Sequence, residues 1–399
     1  MPVVGTPIFH PYVLFDISTF GGLSQIVASY ANIVTWSNKN TALTQNQVRI
    51  KDQDNDGDVV ALAKAIRSVT ESNPSLGTEA KDLIIAGYVH SGLEDSNGDG
   101  KPDFPSLGPS RNLCAVVCAW DILRQAGLIS NKEDAHFRVW LLFLLSPTTQ
   151  WSDRRGLIET NEERPNNWGL MAGASVAAAK VYLNDSAAVI NNANTFIAWM
   201  GDTTSPKYPE FEWGEFWFQI PLAAPMGILP PGALFYTDGD GDGVKNDALG
   251  VPDPTLLADG CQPEEARRHD FELDTFLYPV PETGYFYEAL QGAVVQAAIL
   301  AANGYPTVWT WQTNALKRAY EFAVDATGSA PVARVRNWTD TNNDEHGELD
   351  GTDTAGLLPL NDSSQIGKVL DLKYGLTHAV GLPYQRGKNM IGLDWLYGG

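Results

Sequence analysis

Apolar residues recur at three- and four-residue spacing along most of the chain, the mark of helices with one buried stripe. That period predicts helices over residues 22–34, 59–70, 78–91, 111–126, 134–145, 168–183, 187–200, 285–302 and 311–324. Leu290, Val294, Ala297 and Ala301 show it in the run that Tyr285 opens. Period-two alternation is scarce, and only 216–220 and 332–335 read as short strands. Turn-rich segments at 94–109, 203–247 and 337–357 separate the helices, and connections this long usually carry function or bind something. No shift in composition divides the 399 residues. The expected fold is therefore one domain over 1–399, mainly α, an (α/α) toroid of antiparallel helix pairs (an incomplete helical barrel) with long loops and few short strands. Two helical subdomains are the alternative.

Composition adds constraints. With 44% hydrophobic and 19% charged residues and a mean hydropathy of −0.18, the chain has the balance of a folded protein. No apolar run approaches the roughly 18 residues of a spanning helix. Lys and Arg total 27 against 48 Asp and Glu, a net charge of −21. That field repels nucleic acid and anionic membranes, so neither is an expected partner. Met1-Pro2-Val3-Val4 lacks the basic start and apolar core of a signal peptide. Cys114, Cys118 and Cys261 are too few for a disulfide framework, and Cys114 and Cys118 read as small buried residues on one helix face.

Four loops share an acidic pattern. Asp52-Gln53-Asp54-Asn55-Asp56-Gly57-Asp58 begins like a calcium loop, and Asp95, Asn97, Asp99 and Asp103 repeat the alternate spacing. Asp238, Asp240 and Asp242 form a third, and Asp340 to Asp350 a fourth. A tight turn aims every second oxygen inward, which suits a hard cation. No loop has the Glu at position 12 of an EF-hand; Ala63 stands there in the first. Ordinary solvated Asp/Asn/Gly turns are the plain alternative. Structural Ca2+ is expected at the second and third loops, with no cofactor for catalysis. Extracellular calcium points to a secreted protein, extracellular or periplasmic.

Two further segments carry candidate chemistry. In Arg164-Pro165-Asn166-Asn167-Trp168-Gly169, Pro165 readily opens a helix and either Asn can cap it. Paired Asn beside a Trp at a helix N-terminus also suits an anion and a sugar ring. The second runs from Glu264-Glu265-Ala266-Arg267-Arg268-His269-Asp270 to Gly284-Tyr285-Phe286-Tyr287-Glu288. A salt-bridged helix end is its plain explanation.

These segments resemble the alginate- and glucuronan-type polysaccharide lyases with α-helical toroid folds. The likeness lies in Asn166–Gly169, Arg267–Asp270 and Gly284–Leu290, then Gly304-Tyr305, Trp309, Gly387–Met390 and Asp394–Tyr397. It covers roughly the second half of the chain, while the first half matches only as generic helices. In alginate lyases of this fold the Asn is commonly followed by His. Here Trp168 stands there, so the resemblance puts the catalytic imidazole at His269. It implies β-elimination on a uronic-acid polymer, with Asn167, His269 and Arg268 stabilising the charge that builds on the substrate carboxylate. Tyr285, with Tyr287 as second choice, would take the C5 proton and return one to the glycosidic oxygen. On the other epimer His269 could be the base. Asn166, Trp168, Arg164, Arg267, Tyr287 and Trp213 would bind the acidic polysaccharide, and the chain is expected to be a monomer. A net charge of −21 opposes a polyuronate, so Arg111, Arg154, Arg155, Arg164, Arg267, Arg268 and Lys388 would have to focus the field locally.

Two rivals stand beside this reading. A glycoside hydrolase on the same helical barrel would use paired carboxylates, from Glu210, Glu212 and Glu215 or from Asp270, Glu272 and Asp274. A noncatalytic, calcium-braced carbohydrate-binding protein would hold glycans through Trp168, Trp213 and Trp217. No phosphate loop and no G-x-S-x-G elbow occurs.

Overall fold

The computed structural model describes residues 7–39, 50, 56–89, 105–146, 155–213, 225–236, 252–266, 284–327, 364–380 and 393–396. Helices dominate them. The first half holds α1 (Ala28–Ser37), α2 (Gly57–Thr70), α3 (Pro74–Val89), α4 (Leu107–Gln125), α5 (Asn131–Leu144), α6 (Leu157–Glu163), α7 (Asn167–Tyr182) and α8 (Ser186–Trp199). The second holds α9 (Pro263–Ala266), α10 (Gly284–Ala302), α11 (Trp311–Thr327), α12 (Ser364–Tyr374) and α13 (Leu393–Leu396). The protein is mainly helical, as its periodicity predicts.

Helix starts follow local chemistry. Ser130 and Glu133 close a capping box on α5: Glu133 N–H donates to Ser130 Oγ at 3.2 Å, and Ser130 N–H to Glu133 Oε2 at 2.7 Å. These bonds hold the Glu133 carboxyl down at about 2. Asp185 caps α8 by accepting from Ala188 N–H at 3.2 Å. The helix expected at 22–34 starts later, at Ala28, because a 3-10 turn over Ile17–Gly22 precedes it. The short helices α6, α9, α12 and α13 fall outside the predicted helical stretches.

Two strands, β1 (Leu234–Tyr236) and β2 (Pro252–Leu257), pair antiparallel with Leu234 opposite Leu257 and Tyr236 opposite Pro252. This ribbon falls where only loop was expected. The strands expected at 216–220 and 332–335 lie outside the described residues.

Helix α7 is apolar all round and buried almost throughout, which places it centrally. It packs on α4, α6, α8 and α10. Small residues let these backbones approach: a side chain at Gly292 of α10 would sit 2.6 Å from the Leu170–Met171 backbone of α7. Further neighbours are α1 on α2, α2 on α3 and α4, α10 on α11 and α12, α12 on α13, and α13 back on α1. One continuous core runs through these contacts, from Val13 to Trp395. Near its ends, Trp395 packs edge-on against Phe20 at 5.5 Å, and Asn303 Nδ2 donates to Val13 O at 2.7 Å.

Candidate functional site

The N-terminus of α7 is built tightly. Gly169 lies so close to the chain arriving from Arg164 that a Cβ there would collide with the Arg164 carbonyl. Of the paired Asn residues, Asn166 is the cap: its Oδ1 accepts from Trp168 N–H at 3.1 Å. Asn167 is free of that duty and 1% exposed. Its Nδ2 donates to Glu288 Oε2 at 2.8 Å, and its backbone N–H donates to Glu265 Oε1.

Glu288 Oε2 also accepts from Arg111 Nη2 at 2.7 Å, and Arg111 Nε reaches Met171 Sδ at 3.4 Å. The Arg111 side chain is 6% exposed and that of Glu288 20%. Four helices are thus joined by one run of bonds: α4 brings Arg111, α10 Glu288, α7 Asn167 and α9 Glu265. Arg111 supplies the counter-charge to Glu288, and Glu265 sits on the positive end of α7. Glu288 and Arg111 are each the sole residue of their charge in the buried stretch that carries them, and a lone buried charge needs a partner. That was the available signal; the spacing gave no hint that they pair with each other.

Tyr285 precedes Glu288 by three positions on α10 and is half-buried, so both lie on one side of the helix. Tyr287 is 3% exposed and belongs to the core. The Arg164 guanidinium lies over the Trp168 ring at 4.3 Å, a cation–π pair beside Asn167. Trp213 is partly buried against Tyr208 and Phe211, with ring centroids at 5.8 and 5.2 Å. His269, Arg267 and Arg268 lie outside the described residues, as do Asp95, Asn97, Asp99, Asp103, Asp238, Asp240 and Asp242. No group of His, Cys, Asp and Glu among the described residues could hold a metal. From the first acidic loop, Asp58 has become part of α2, where burial pushes its carboxyl well above the usual range.

The other candidate carboxylates are committed to surface pairs. Glu210 meets Lys207 at 2.7 Å, and Glu212 pairs with Arg155, which also holds Glu163 at 2.8 Å. Glu215, Asp270, Glu272 and Asp274 lie outside the described residues. Cys114, Cys118 and Cys261 are free and buried. Among the described residues no helix is long and apolar enough to cross a membrane. No protein-family model and no curated protein matches the chain.

Proposed function

We propose that the protein is a secreted polysaccharide lyase that cleaves a uronic-acid polymer, glucuronan or alginate-like, by β-elimination on an (α/α) toroid. The observation that carries this reading is the meeting at Asn167. The Asn-Asn-Trp-Gly helix start and the α10 segment of Tyr285 are two of the resembling segments, and a third, Arg267–Asp270, begins two positions after Glu265 in the chain. Asn167 bonds to Glu288 within the second of these and to Glu265 just ahead of the third. Support for the toroid comes from neighbour contacts that run α1–α2–α4–α7–α10–α12–α13 and return to α1.

In this mechanism the C5 proton is too weakly acidic until the adjacent carboxylate is stabilised as it gains charge. Glu288 accepts from the Asn167 amide and so fixes the orientation of this donor group. Glu265 and Glu288 oppose a second anion. Arg111 offsets Glu288, and Arg267, Arg268 and His269 would have to offset Glu265. Tyr285 takes the proton from C5 as phenolate and returns one to the glycosidic oxygen. Arg164 and Trp168 offer a charged, flat platform for a neighbouring sugar. Structural Ca2+ in the second and third acidic loops belongs to the same proposal, as does a monomeric state.

A second reading has its own observation. Glu265 and Glu288 both bond to Asn167, and a glycoside hydrolase needs two carboxylates, one on each side of the scissile bond. Digestion of defined polyuronates separates the two. The lyase creates a C4–C5 double bond that absorbs in the near ultraviolet, and Tyr285→Phe abolishes its appearance. New reducing ends without that absorbance would establish the hydrolase. No cleavage of any polyuronate, with or without added calcium, would sink the proposal.

A further inference from the structure

Gly173, Asn192 and Gln296 form a relay that fixes the direction of one buried acceptor. The Gly173 carbonyl can only accept, so Asn192 turns its amide nitrogen toward it, Nδ2 to O at 3.0 Å. Asn192 Oδ1 is then left to accept, and Gln296 supplies Nε2 at 3.0 Å. Gln296 Oε1 becomes the open end of the chain. The residue is 1% exposed, and this oxygen is buried with no hydrogen-bond partner among the described residues.

Space exists beside it. Gly173 borders it closely: a Cβ there would stand 2.5 Å from both Gln296 Oε1 and Asn161 Oδ1, so glycine is required at this corner. Gln296 and Asn161 line a cleft of about 180 Å³, counting the solvent at its mouth, together with Arg164, Thr195, Phe196 and Trp199. The enclosed part suits a guest no larger than about one water molecule. Thr195 has already given its proton, Oγ1 to Asn191 O at 3.1 Å. Two amide oxygens repel an anion, and no carboxylate lines the cleft to hold a cation. The matching guest is a small neutral donor. A buried carbonyl left without one costs stability, which favours occupation.

We propose that this cleft is a hydroxyl site, in which an O–H donates to Gln296 Oε1: water in the free chain, and a hydroxyl of a sugar unit when one lies against Arg164. The sugar half rests on the carbohydrate reading above; the water half does not.

Crystals of the full chain test both halves. In the free protein the expected result is one oxygen within hydrogen-bond distance of Gln296 Oε1, absent in Gln296→Met. An empty cleft overturns the proposal, and so does an Asn161 amide turned to donate directly to Gln296. Wild-type crystals soaked in ethylene glycol, the smallest vicinal diol, then separate the sources. A diol oxygen in place of the water supports the ligand half. Water that persists, or a diol bound only at other surfaces as an adventitious additive, overturns that half. Should Gln296→Met not fold, the wild-type arms decide alone. Density, not turnover, is read, so failure here and failure of the lyase reading remain distinct.

Discussion

Asn167 and Glu288 lie 121 residues apart, yet the amide of one donates to the carboxylate of the other at 2.8 Å. Arg111 reaches the same oxygen across 177 residues, at 2.7 Å. Such a pair is costly to break singly, because the remaining partner stays buried without its counter-charge. Glu288→Gln and Arg111→Met are each expected to lose about 3 kcal/mol of unfolding free energy. The double variant should lose less than the sum by at least about 1 kcal/mol. Denaturant titration of all four proteins gives the coupling. Additivity within about 0.5 kcal/mol would show that the pair does not interact.

A single methyl group should be enough to damage the same corner. At Gly169 a Cβ meets the Arg164 carbonyl, and backbone cannot move aside as a flexible side chain can. Gly169→Ala is expected to cost about 3 kcal/mol and to disturb the Arg164–Trp168 stack. Gly21→Ala supplies the control, since nothing lies within 4 Å of its added carbon. Thermal unfolding compares them. Equal midpoints for the two variants would contradict the tight approach.

The elements that sequence made legible are those whose burial follows helical period. The period bounds α7 and α10 to within a residue or two because apolar residues mark both, and a capping Asn marks α7. Which Asn caps was not legible: Asn166 and Asn167 are both competent, and only tertiary contacts withdraw Asn167 from that duty. Helix α6, Leu-Ile-Glu-Thr-Asn-Glu-Glu, is too short and polar to show a period, though its start is fixed by Glu159 accepting from Gly156 N–H at 2.8 Å. The ribbon of β1 and β2 escaped because Pro252 and Pro254 argue against a strand, and an edge position is what admits them. Glu288 lies inside Gly284–Leu290, but its role is not legible there, since it depends on Arg111 in a distant helix.

Arg318 sustains an unusual turn at the start of α11. Gln312, Thr313 and Asn314 are all left-handed, with φ of 47°, 58° and 56°. Each such residue costs roughly 1–2 kcal/mol outside glycine. Arg318 donates Nη2 to Gln312 O at 3.0 Å and Nε to Thr313 O at 3.1 Å, and its Nη1 binds Leu229 O and Asp259 Oδ1. Removing the clamp with Arg318→Ala should cost about 2 kcal/mol, as an arginine that serves three carbonyls and a carboxylate is lost. Thr313 is exposed, so Thr313→Gly should instead stabilise by about 1 kcal/mol. Hydrogen exchange would show faster opening at 312–314 in the first variant and none in the second. Destabilisation by Thr313→Gly would disprove the strained turn.

The last prediction concerns pH. Asp394 is 1% exposed at the start of α13, and burial raises its carboxyl from 3.8 to about 6, although backbone N–H groups of Asp394 and Trp395 and the charge of Lys368 act in the opposite sense. Between those two values the folded chain keeps a proton that the unfolded chain releases. Its contribution is therefore full below about pH 4, declines as pH rises through 6, and is gone above. A shift of about two units corresponds to about 3 kcal/mol lost by neutral pH. Asp394→Asn holds the group uncharged at every pH. It should match wild type near pH 4 and exceed it by a few kcal/mol near pH 8, measured by denaturant unfolding at both values. Because Trp395 packs edge-on against Phe20 and tilted against Tyr30, at 5.5 and 5.4 Å, its fluorescence should follow the docking of this terminal turn on α1. An advantage for Asp394→Asn that is the same at both pH values would mean that this carboxyl titrates in its ordinary range.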